Sequence, residues 1–386
     1  MIRLLLALLI LSFGFCAYKP VPDSHITFDL TSPGLASDTF VYITGSVDQL
    51  GSWNPGKVKM EPLGDHKWRK QIVVNNVSVI EFMYTLGSWD REGANASGEP
   101  LPNLSLPVSG DATTNDKIGF WTKKGHKLGF QGQITGTVEY HRAMKGDGLR
   151  DRDVVVWLPP DYRTSRNRRY PVLYMNDGQN AFDPATSSFG VDWQADEIAD
   201  RLIRSKEIPP LIIVGIYNTA DRTAEYSPGV KGTAYMNFVV NRLKPFIDKT
   251  YRTKPDRLNS FVCGSSMGGL ISFMLPCEYP EVFSAGICMS PAFVEPNKAK
   301  PQWDYIADFL ASPIQKAPLF FYIDLGGVGL EQILQPGFDK MITVLKAKGY
   351  REHKDFELVK DPAARHSEAD WAKRLPNALK LVLNRR

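Results

Sequence analysis

The chain has 386 residues, 43% hydrophobic and 23% charged, with a formal net charge of +4. That length suggests more than one domain, and the balance excludes a disordered or fibrous chain. Lys and Arg are spread along the sequence, with no basic stripe of the kind a nucleic-acid face requires.

The N-terminus opens with a short basic start at Arg3 and an apolar run over residues 4–15, followed by Cys16 and Ala17. This is the layout of a secretory signal peptide covering residues 1–16, which predicts a secreted or periplasmic protein. Lipid attachment at Cys16 is the competing reading, disfavoured by the bulky Phe15 before it. The run falls short of the roughly 18 residues of a membrane-spanning helix, and nothing later reaches that length. Beyond residue 16 the cysteines are Cys263, Cys277 and Cys288, an odd set. They read as buried free thiols. No Cys or His spacing suggests a metal site, and no cofactor motif is present.

Residues 24–112 carry short alternating runs at 39–44, 67–74 and 79–84, separated by Gly, Pro, Asn and Asp clusters. This predicts a small all-β sandwich. Residues 113–132, within a longer loop-rich stretch over 90–135, read as a linker. From 133 to 386 the pattern becomes strand then helix. Strands are expected at 153–158, 172–176, 211–217, 260–263, 283–289, 319–325 and 356–359, several as continuous apolar runs suited to parallel strands covered on both faces. A helix over 235–251 is expected to kink at Pro245. The fold class is therefore α/β, a three-layer sandwich behind a small β domain.

Gly264-Ser265-Ser266-Met267-Gly268 matches G-x-S-x-G between an expected strand and an expected helix. That is the turn that exposes a nucleophilic serine, here Ser266, at the carboxyl edge of a sheet. In this fold the order is serine, acid, histidine. Only His353 and His366 follow Ser266; His353 precedes the last strand, on the wrong edge, and His366 follows it. The acid belongs after the strand at 319–325, where Asp324 and Glu331 both qualify. Glu331 is preferred because it lies farther into the glycine-rich loop GGVGLE (326–331). The backbone N–H groups of Met267 and Gln179 are the expected oxyanion donors. Trp193, Tyr217, Asn218 and Arg222 lie in or beside loops after strands. Trp193, Asn218 and Arg222 are the candidate substrate contacts.

The stretches YPVLYMNDGQNAFD (170–183), GSSMGGLISF (264–273), EYPEVFSAGICMSPAF (278–293) and HSEADW (366–371) resemble the esterase family that includes esterase D, enterochelin esterases, feruloyl and acetylxylan esterases and the mycolyltransferases. The resemblance implies an α/β-hydrolase fold, Ser266 as nucleophile, His366 as base, an acid in the Glu331 loop, and oxyanion donors from Met267 and Gln179. Pro276 departs from the helix formers the family carries there, and an early helix end is expected. The run VYITGSVDQLGSWN (41–54), with IEFMY (80–84) and Ser88-Trp89-Asp90, resembles starch-binding carbohydrate-binding modules. It implies that Trp53 and Trp89 stack on sugar faces. Met83 stands where that family carries a sugar-holding lysine.

With the N-terminal signal layout, these resemblances imply a secreted serine esterase acting on acylated carbohydrate or another small ester, with a polysaccharide as a further partner through the front domain. The rival readings are a siderophore or lactone esterase, an acyltransferase of the same fold, and a non-catalytic sugar-binding protein.

Overall fold

The computed structural model describes residues 23–385 apart from 52–53, 76, 78, 89–90, 97–100, 102, 123–133, 189, 296–302 and 313–317. Trp53, Trp89 and the stretch 1–16 with Cys16 lie outside the described residues.

The front domain contains β1 (Ser24–Thr31), β2 (Tyr42–Gly45), β3 (Glu61–Gly64), β4 (Lys67–Val74), β5 (Val79–Thr85), β6 (Gly93–Ala94), β7 (Leu104–Pro107), β8 (Ala112–Lys117) and β9 (Phe120–Trp121). One sheet has the order β3-β4-β1-β8, a second β2-β5-β7, and β6 pairs with β9 in a small third. Alternate residues of β1, Ile26, Phe28 and Leu30, are buried against Ile80, Phe82 and Tyr84 of β5, as period-two side-chain direction requires. The Phe28 and Phe82 rings meet edge to face at 4.7 Å. Trp68 lies in this core, its indole N–H donating to Thr39 O. The expected linker beginning at 113 is corrected here. β8 pairs in parallel with β1 over Ile26–Thr31, because its polar alternation presents one face to solvent while the backbone completes the sheet.

The second domain is built on an eight-stranded sheet: β10 (Thr137–Met144), β11 (Arg152–Leu158), β12 (Val172–Asn176), β13 (Ile212–Ile216), β14 (Ser260–Ser265), β15 (Ala285–Met289), β16 (Phe320–Gly326) and β17 (Phe356–Asp361). Its order is β10-β11-β13-β12-β14-β15-β16-β17. β10 and β11 pair antiparallel, as do β11 and β13; every later pair is parallel. The helices are α1 (Ala195–Arg204), α2 (Arg222–Glu225), α3 (Val230–Phe238), α4 (Lys244–Thr250), α5 (Met267–Glu278), α6 (Tyr305–Ala311), α7 (Leu330–Ala347) and α8 (Glu368–Leu383). They cover both faces. Val172 and Tyr174 of β12 enter the core beneath α3 to α7, and Leu173 and Met175 enter the core beneath α1 and α8. This is the expected α/β-hydrolase three-layer sandwich.

Two prolines are accommodated without a break. Pro245 lacks the N–H that would bond back into the preceding turn. The chain answers with a π-helical turn over Val239–Leu243 between α3 and α4. Pro276 does not end α5 early; the helix runs on to Glu278.

Candidate active site

The carboxyl ends of the parallel strands gather the residues of interest. Asp177 follows β12, Ser266 follows β14 and Ser290 follows β15, three adjacent strands. All three have positive φ, 58°, 57° and 43°. Each such residue costs on the order of 1–3 kcal/mol and persists only where its surroundings over-determine it. For Ser266 they do. Its N–H donates to Met289 O at 2.9 Å, and its carbonyl accepts from Ala292 at 3.1 Å and Leu270 at 3.0 Å. The half-buried Ser266 is the residue immediately before α5. Met267 therefore opens the helix, where N–H groups have no partner within their own element.

Gln179 lies on a short 3-10 turn, Gly178–Asn180, after Asp177. A side chain at 178 could not fit, since its Cβ would stand 2.2 Å from the carbonyl carbon of Gly215 on β13. Asp177 fixes this turn. Its carboxylate accepts Nε and Nη2 of Arg222 and Nδ2 of Asn218, each at 2.7 Å. The Gln179 side chain accepts the Asn218 N–H at 3.2 Å.

His366 sits in the loop between β17 and α8, and its Nδ1 is 3.0 Å from Glu331 Oε1. A carboxylate can only accept, so Nδ1 carries the proton and Nε2 is left as the acceptor. Glu331 is fully buried in the first turn of α7, and its other oxygen accepts from Gly326 N at 2.9 Å. Burial alone would raise its pKa, but His366 and the further hydrogen bonds hold it below the usual range. Gly327 and Val328 donate to Ala364 O, tying the acid's loop to the histidine's loop. Asp324 has a different partner. It is buried in a bidentate pair with Arg374, at 2.9 and 3.2 Å. Burial pushes its carboxyl up to about 6 against the pull of Arg374.

Of the candidate substrate contacts, the structure corrects Trp193. Trp193 is 2% exposed and packs at 5.7 Å on Trp371, which meets His366 edge-on at 4.8 Å. It supports the histidine from the core and presents no face to a ligand. Arg222 and Asn218 are engaged with Asp177.

Several further residues escape sequence reasoning. Ser290 Oγ accepts from Trp371 Nε1 at 3.0 Å and Arg374 Nη2 at 3.2 Å, joining β15 to α8. Glu368 accepts from Asn180 Nδ2 at 3.1 Å, joining the first turn of α8 to the Gly178–Asn180 turn, and burial lifts it to about 7. Ser290 and Glu368 lie inside the stretches that carry the family resemblance, the only sequence signal that points to them.

Among the described residues one group of acids, Asp192, Asp196 and Glu197, has ligand atoms within 4.8 Å of one another. Burial and the neighbouring Glu197 push the Asp196 carboxyl well above its ordinary range.

A strained serine before a helix at the carboxyl edge of this sheet, with a histidine in the loop after the last strand bonded to a glutamate in the first turn of α7, defines the α/β-hydrolase class. Residues 149–382 match the family described as "Putative esterase", and the chain belongs to that family. Residues 23–118 match the family described as "Starch binding domain". An endo-1,4-beta-xylanase/feruloyl esterase of Xylanibacter ruminicola is 28% identical over 201 residues, 51% of this chain and 25% of that protein. The chain thus spans only a quarter of that relative's length. A ferulic acid esterase structure superposes with a TM-score of 0.53 at 21% identity, covering 65% of this chain and 98% of that one. The enterobactin esterase of Shigella flexneri superposes with a TM-score of 0.54 at 13% identity, covering 92% of each chain. At these identities the two structures establish the fold. No helix of the described residues is long and apolar enough to cross a membrane.

Proposed function

We propose that this protein is a secreted serine esterase that hydrolyses carboxylic esters of carbohydrates. Ser266 is the nucleophile, His366 the general base and Glu331 its acid partner. The observation that carries the reading is the 3.0 Å hydrogen bond between His366 Nδ1 and the buried Glu331. That bond holds the imidazole with Nε2 unprotonated. Nε2 takes the proton of the Ser266 hydroxyl as Oγ attacks the ester carbonyl. The backbone N–H groups of Met267 and Gln179 receive the negative charge of the tetrahedral intermediate. The imidazolium, stabilised by Glu331, gives its proton to the departing alkoxide and leaves an acyl-enzyme. Water then repeats the sequence to release the acid and restore Ser266.

Membership of the esterase family supports the chemistry. The match of residues 23–118 to a starch binding domain and the feruloyl esterase relative support an acylated polysaccharide, with feruloyl and acetyl esters as the first candidates. The signal-like run at residues 1–16 supports secretion. Ser266→Ala is expected to abolish nearly all turnover of a chromogenic short-chain ester. Full retention of turnover in that variant would overturn the proposal. Rates on feruloyl, acetyl and short-chain esters, with retention of the full chain on insoluble starch and xylan, would then rank the substrates.

A further inference from the structure

Among the described residues, one side chain of the front domain that reaches the proposed catalytic residues is Glu81. α7 begins at Leu330 after Gly329, which has φ 66° and no side chain to cap the helix. The first N–H groups of a helix need an acceptor from elsewhere. Here it comes from 249 residues earlier, where Glu81 Oε1 on β5 accepts the Leu330 N–H at 3.3 Å. A Cβ at position 329 would stand 2.9 Å from that same oxygen, so the bare glycine is what lets the carboxylate approach. A negative charge there also complements the helix dipole.

Glu81 is itself held firmly. β5 is the central strand of its sheet. The Glu81 N–H donates to Ser46 Oγ at 3.0 Å, and its carbonyl accepts the Ser46 N–H at 2.8 Å. On the far side of the contact, the residue after Leu330 is Glu331, bonded to His366. A continuous path therefore runs from the β domain, through Glu81 and the first turn of α7, to the acid and the base.

We propose that Glu81 is a positioning residue for hydrolysis. From the front domain it holds the first turn of α7, and through that turn it fixes the carboxylate of Glu331 on His366. This inference rests on the reading of Glu331 as the acid partner. It gives the front domain a part in turnover that is separate from any glycan binding, and one felt even by substrates too small to touch that domain.

The test uses the full chain and a small soluble ester, p-nitrophenyl acetate. Glu81→Ala is expected to lower kcat roughly three- to tenfold, the scale of a lost helix cap, with KM unchanged. Glu81→Gln keeps an acceptor oxygen and is expected to stay within about twofold of the parent. If Glu81 acts through Glu331, Glu81→Ala has no further effect in a Glu331→Gln background. A parental kcat in Glu81→Ala overturns the proposal. So does an equal fold-loss in both backgrounds. Glu331→Gln alone with parental kcat would instead remove the acid assignment. Thermal melting confirms that each variant is folded. If Glu81→Ala is not, Glu81→Asp, which keeps the charge but withdraws it by one methylene, is expected to lose kcat likewise, and parental kcat there is equally decisive.

Discussion

Asp177 and Arg222 form a bidentate pair, Nε to Oδ1 and Nη2 to Oδ2, both at 2.7 Å, on the residue that opens the proposed oxyanion turn. The same carboxylate lies against the Ser266 turn, since a Cβ at Gly268 would be 3.0 Å from Asp177 Oδ2. One side-chain pair thus lies between the two turns whose N–H groups are proposed to converge on a single oxygen. The strained φ of Asp177 gives the turn a reason to relax if the pair is lost.

Arg222→Met is therefore expected to lower kcat by roughly ten- to a hundredfold with little change in KM, because small displacements of positioned groups are felt mainly in the transition state. Steady-state kinetics on a short-chain ester checks this. A rise in KM with kcat unchanged would mean that Arg222 touches the substrate directly.

The two carboxylates near β16 should separate cleanly. Glu331→Gln is expected to lower kcat by about 10²- to 10⁴-fold with a modest effect on stability. Asp324→Asn should keep kcat within about threefold yet melt earlier. It leaves Arg374 buried without its counter-charge, a class of change that costs about 3–5 kcal/mol. Kinetics and thermal melting of both variants decide the assignment, and the reverse pattern would exchange the roles.

Glu368 gives stability a pH dependence. Burial raises its carboxyl from the usual 4.5 to about 7, with His366, Asp177 and Arg222 as neighbours. Between those values the folded chain holds a proton that the unfolded chain has released. The group's contribution to stability is thus full below about 4.5 and is lost as pH rises through 7. Glu368→Gln mimics the protonated form and keeps an acceptor for Asn180. Its melting temperature should match the parent at pH 4.5 and exceed it by a few degrees at pH 8. A constant difference across this range would contradict the assignment.

The parallel strands were legible because burial on both faces writes them as continuous apolar runs, as in LYM of β12 and ICM of β15. β10, β7 and β8 were not, since TVEYHRAM, LSLP and ATTNDK are polar or mixed and are held by backbone pairing. At the site, chain order left His353 and His366, the edge of the sheet chose His366, and loop position favoured Glu331; their bond joins the loop after β17 to the first turn of α7. The partners of Arg222, Asn218 and Trp193 depend on packing between distant segments. A tryptophan near a loop looks the same in sequence whether it meets a sugar or, as here, another tryptophan.

Cys263, Cys277 and Cys288 are all buried and unpaired, and burial raises each thiol above its ordinary range. Protonated and shielded, they are poor nucleophiles while the chain is folded. The catalytic domain consequently carries three silent reporters of its own opening, one on β14, one near the end of α5 and one on β15. The rate at which an alkylating reagent reaches each would time the exposure of the sheet and helix that carry Ser266. Because they form no disulfide, that clock can run in a reducing medium without cutting any cross-link between them.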